Sequence, residues 1–172
     1  MGGGGVQGEM MGRVPLLLLM SLIIGGCWFD PGDGTRPIAQ SKEPEKALYE
    51  RLGGDKGIVR IVDEWVARSL NDRRLNFIRK GTSAQWVPAD SNIVKLKAGL
   101  AQFLSMASGG PQKYEGRDMK SLHQGMQISG GEFDAMKKDL KETLKMLKVG
   151  EKEQKELLKV IESVRKDIVE VP

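Results

Sequence analysis

One histidine and one cysteine stand in this chain of 172 residues, and they limit the chemistry it can do. His123 lies in the stretch Tyr114-Glu-Gly-Arg-Asp-Met119-Lys-Ser-Leu-His123-Gln-Gly-Met-Gln-Ile128. A zinc site built from protein alone usually needs three or four His, Cys or carboxylate ligands. No nucleophile elbow or other catalytic signature surrounds any serine. One metal role asks for a single side chain. Haem brings four nitrogens of its own, so the protein supplies only an axial ligand. No Cys-x-x-Cys-His is present, so a haem here would be held without thioether links. The alternative is a partly buried helical histidine with its hydrogen bond satisfied, and spacing alone favours that reading.

The elements that must position His123 are helices. Ala47-Leu48-Tyr49-Glu50-Arg51-Leu52 predicts a short helix stopped by Gly53-Gly54. Ile58, Ile61, Val62, Trp65 and Ser69 share one face of a helix over 55–70. Asn71-Asp72 ends it. Leu75, Phe77 and Ile78 then form an apolar corner before a loop over 79–90. Ile93, Leu96, Leu100, Phe103, Leu104 and Ala107 again fall at helical spacing, and Gly109-Gly110-Pro111 stops that helix. A loop and a short helix carry Met119, Leu122 and His123. Ser129-Gly-Gly-Glu132 is a capping-box pattern and opens a helix with Phe133, Met136, Leu140, Leu144 and Leu147 on one stripe. Gly150 separates it from a last helix carrying Leu157, Ile161, Val164 and Ile168. No segment alternates as a strand does, so the chain reads as all-α with about five or six helices.

The first 44 residues have another character. Arg13 precedes the apolar run Val14–Ile24, which is short and N-terminal, as a signal-peptide core is. The run ends in Ile24-Gly25-Gly26-Cys27, which resembles a bacterial lipobox. On that resemblance residues 1–26 are a lipoprotein signal peptide and Cys27 is lipidated. A plain secretory signal with an incidental cysteine is the alternative. Met10 and Met11 are alternative starts after a glycine-rich opening. Trp28, rather than Asp, follows Cys27, which leans toward the outer membrane. Residues 27–44, rich in Pro, Gly and Asp, read as the lipidated cysteine and a flexible tether, and 45–172 as the folded domain. The expected location is exported and membrane-anchored, on the periplasmic face. Net charge is +4, spread through mixed Lys/Glu helices, which argues against a nucleic-acid surface. Hydrophobic residues make up 40% of the chain, enough for a core without disulfides.

Several segments together resemble a truncated haemoglobin of group I, a two-over-two helical globin. They are Leu48-Tyr49-Glu50-Arg51-Leu52-Gly53-Gly54, Ile61-Val62-Asp63-Glu64-Trp65 with Leu70-Asn71-Asp72, Gly109-Gly110-Pro111, Tyr114-x-Gly116, and Met119-Lys120-x-x-His123. The resemblance runs from about 46 to 169. It implies a haem b held non-covalently, with His123 as proximal ligand to the iron. It also implies that Trp65, Val66, Leu96, Leu100, Phe103, Met119, Ile128 and Phe133 face the haem, with Ile161 behind them.

The departures from the family concern the ligand side. Val66 stands where much of the group has an oxygen-binding tyrosine, and Leu100 where a glutamine often assists. By that register the distal side has no polar side chain, so oxygen is expected to bind weakly. Ungapped counting puts Arg79 where the family wedges the haem with phenylalanine. Either Phe77 takes that place or Arg79 pairs with a propionate. The expected function is binding of diatomic gases (oxygen, nitric oxide, carbon monoxide), with turnover such as nitric oxide dioxygenation left open but not favoured. Nitric oxide dioxygenation needs stably bound oxygen and a reductase partner, and the apolar distal side argues against it. The alternative is a globin-fold lipoprotein scaffold in which haem is lost or incidental.

Overall fold

The computed structural model describes residues 45–171, and the signal peptide, Cys27 and tether of the sequence reading lie outside them. Seven helices follow in order: α1 (Leu48–Arg51), α2 (Gly54–Leu70), α3 (Asp90–Ala107), α4 (Met119–His123), α5 (Gly130–Met146), α6 (Glu151–Ser163) and α7 (Arg165–Ile168). Among the described residues there is no strand, only an isolated bridge between Ser129 and Val171. The all-α expectation holds. No helix among these residues is long and apolar enough to cross a membrane.

Two helix pairs make the body: α2 packs against α3, α5 against α6, and α2 also crosses α5. The interface is apolar because each helix carries one stripe at helical spacing. Ile58, Ile61, Val62, Trp65 and Val66 from α2 meet Phe103 and Leu104 of α3 and Phe133, Leu140 and Leu144 of α5. Leu157 and Ile161 close the core from α6. Leu144 is fully buried. Leu144→Ala is therefore expected to cost about 2–5 kcal/mol of stability, read from the denaturation midpoint.

Local chemistry sets the ends. Gly53 has φ of +95° and turns the chain from α1 into α2. Gly110 packs so closely that a Cβ there would lie 2.5 Å from Ser105 Oγ and 2.6 Å from Tyr49 Cδ2. The capping box at Ser129 and Glu132 is formed, with each side chain bonding the other's backbone amide. One boundary differs from the sequence reading. The last apolar stripe is not one helix but two, parted at Val164. The turn brings Arg165 over the Phe133 ring, 4.4 Å from its centroid. It also lets Val171 pair beside Ile128: the amides of Glu170 and Val171 donate to the Ile128 carbonyl at 2.9 and 3.2 Å.

Candidate functional site

An apolar cavity of about 230 Å3 opens between α2, α3, α4 and α5. Trp65 and Val66 contribute from α2, Leu96 and Leu100 from α3, and Phe133 and Met136 from α5. Leu75, Phe77, Arg79 and Trp86 line it from the 71–89 loop, and Leu122, His123, Met126 and Ile128 from around α4. Ile168 reaches in from α7. Burial explains why α2 is so apolar on this side. The indole of Trp65 is anchored by its Nε1, which donates to the Met136 carbonyl at 3.1 Å.

His123 is the chemical centre of this cavity. Its Nδ1 lies 2.8 Å from the Met119 carbonyl, one turn back. A carbonyl only accepts, so Nδ1 carries the proton in this bond. Burial pushes the imidazole's pKa below its ordinary value, with Arg79 and Arg117 adding to the fall. The Met119 bond and Glu170 oppose it. A neutral ring with its proton on Nδ1 leaves the Nε2 lone pair bare. That is the tautomer a metal-ligating histidine needs, with its other nitrogen fixed by a backbone carbonyl. A helical histidine that served only packing would gain nothing from a bare nitrogen beside an apolar cavity.

The 71–89 loop settles where Phe77 and Arg79 sit. Both line the cavity. Phe77 packs edge-on against Trp86, with ring centroids 5.7 Å apart. Arg79 is buried and has a positive φ of 53°. Its guanidinium donates to Glu132 at 2.6 Å and to the Met126 carbonyl at 3.1 Å. Arg79 is thus engaged within the protein, linking this loop to the chain just after His123. Burial pushes the Glu132 carboxyl up, but the Ser129 amide, Arg79 and the Asn76 amide outweigh it and hold it below the usual carboxylate range.

The turn after His123 is held from a second side. Glu170 accepts from the Gly125 amide at 2.7 Å and from the Gln127 amide at 2.6 Å.

Of the residues expected to face a haem, Trp65, Val66, Phe77, Leu96, Leu100, His123, Ile128 and Phe133 come together around this cavity. Phe103, Met119 and Ile161 are not in its lining. Phe103 and Ile161 are buried in the core, with Phe103 edge-on to Tyr114 at 6.1 Å, and Met119 serves through its carbonyl. The sequence reading did not assign Ser69, Trp86, Met136 or Ile168 to the site. Three of these lay on helix stripes already identified as buried, but a stripe does not say which of its residues borders a cavity.

A helical sandwich enclosing an apolar pocket with one histidine at its edge is the architecture of a globin. The chain matches the bacterial-like globin family over residues 47–170. It is 35% identical over 108 residues to the group 1 truncated haemoglobin of a Synechocystis species, covering 60% of this chain and 80% of that protein. The crystal structure of the truncated haemoglobin from Tetrahymena pyriformis in its Fe(III) form superposes with a TM-score of 0.63. It is 31% identical and covers 72% of this chain and 98% of its own. The 2/2 haemoglobin of a Synechococcus species, solved in the cyanomet state with covalently attached haem, gives a TM-score of 0.62 at 27% identity, covering 72% of this chain and 98% of its own. The chain belongs to the bacterial-like globins, within the group 1 truncated haemoglobins.

Proposed function

We propose that this globin holds a non-covalent haem in the cavity and binds diatomic gases there. The observation that carries this reading is the commitment of His123 Nδ1 to the Met119 carbonyl, which leaves Nε2 free beside an apolar pocket. Family membership supports it. His123 would be the axial ligand. Trp65, Val66, Leu96, Leu100 and Phe133 would exclude water and flank the macrocycle. Bound haem would supply the iron that takes a gas molecule, a task no side chain here performs. Arg79, already paired with Glu132, is a poor candidate for a propionate, so Phe77 with Trp86 is the better candidate for the flanking edge. The sole cysteine lies at 27, so thioether attachment within the pocket is not part of this reading.

Two further elements rest on sequence. The lipobox-like Ile24-Gly25-Gly26-Cys27 supports a lipid anchor on Cys27 and a place outside the cytoplasm. The apolar α3 wall at Leu96 and Leu100 supports gas binding rather than turnover with a reductase. Purifying the full chain in mild detergent with haem supplied is the direct test. An intense Soret band that sharpens and shifts when carbon monoxide is titrated into the reduced protein is expected. Absence of any band would move the weight to a haem-free scaffold.

A further inference from the structure

Ser69 is the residue of this pocket that its surroundings do not explain. It lies on α2, three residues after Val66 and four after Trp65, and shares their cavity. It is 2% exposed. A serine inside a helix ordinarily bonds back to the carbonyl a turn earlier. Here the hydroxyl has no partner at all. Among the described residues it is the one buried, unpartnered side-chain polar atom in the cavity's lining. Most of the other polar groups at the wall are accounted for: Trp65 Nε1 bonds the Met136 carbonyl, and His123 Nε2 is the nitrogen left for the iron. Arg79 and Glu132 bond each other, and His123 Nδ1 bonds Met119. A buried hydroxyl without a partner lowers stability, so an alanine would suit this wall better in the absence of a ligand.

Resting on the haem-pocket reading above, we propose that Ser69 is a specificity-determining residue whose Oγ–H donates a hydrogen bond to a polarised ligand in the cavity. Dioxygen held by such a haem would carry partial negative charge on its outer oxygen and would accept such a bond. Carbon monoxide, far less polarised, accepts it poorly. The cavity would thereby favour dioxygen through a residue one turn along α2 from the position where the sequence reading looked for a donor. On this proposal the ligand side is not wholly apolar: the α3 wall is apolar at Leu96 and Leu100, while α2 adds Ser69 to the same lining.

The test uses the full chain with haem bound and compares wild type with Ser69→Ala and Ser69→Thr, the last keeping a hydroxyl. Stopped-flow release of dioxygen is expected to quicken roughly two- to tenfold in the alanine variant. Release of carbon monoxide should change by less than about twofold, and the threonine variant should recover slow dioxygen release. The thermal midpoint of the haem-free alanine variant should not fall. Equal dioxygen release in wild type and Ser69→Ala, with the Soret band intact, would overturn the proposal and assign the hydroxyl to packing or to a fixed water. A wild type without a Soret band would instead overturn the haem reading itself, before any variant is compared.

Discussion

His123→Gly is expected to lose the Soret band of the haem-loaded protein, or to keep a weak and shifted one. Nothing else in the described pocket matches imidazole as a ligand. Met126 and Met136 bring only weak thioether sulfurs to the lining. Changing only an outer hydrogen-bond partner of a metal ligand costs roughly 10–100-fold in affinity. Removing the ligand itself should exceed that, so haem should pass quickly to an acceptor such as apomyoglobin. The glycine leaves a space the size of the ring, and free imidazole added to the solution should restore the band. Rescue separates a lost ligand from a lost fold. A variant that binds haem as tightly as wild type, with an unchanged spectrum, would exclude His123 as the axial ligand.

Val66→Tyr is expected to slow dioxygen release by roughly tenfold to a hundredfold, the effect of about 1.4–2.8 kcal/mol. Val66 is 2% exposed and borders the cavity from α2. A tyrosine there either turns its ring into the cavity or overpacks the core. Overpacking costs typically 1–3 kcal/mol of stability and is read separately from the thermal midpoint. If the ring enters the cavity, its phenol adds a donor stronger than that of Ser69. Carbon monoxide release should change much less. Flash photolysis and stopped flow on the same sample decide it: unchanged dioxygen release at wild-type stability would show that position 66 does not face the ligand.

Most of the helical body was readable from spacing. Ile58, Ile61, Val62 and Trp65 declare a buried face on α2, and Ser129 with Glu132 declares the start of α5, because both signals are local. His123 stood out by being the only residue of its kind. What spacing could not reveal depends on contacts between distant segments. Arg79 looked like a loop cation, and only its meeting with Glu132, 53 positions away, makes it part of the wall. Ser69 sat on a stripe of core residues, and nothing local tells a serine that bonds its own helix from one left unpaired. The break at Val164 was hidden because Leu157, Ile161, Val164 and Ile168 keep helical spacing through it.

The bond between Glu170 and the turn after His123 has a consequence for how the protein is made. The amides of Gly125 and Gln127 lie 45 and 43 positions before the carboxylate that holds them. During synthesis, His123 and both walls of α2 and α3 leave the ribosome well before that carboxylate does. A nascent chain stalled short of residue 170 therefore has its histidine in a turn lacking one of its two fastenings. Cofactor loading on such a chain would be premature. The order of elongation itself delays completion of the site until the last helices have folded across it.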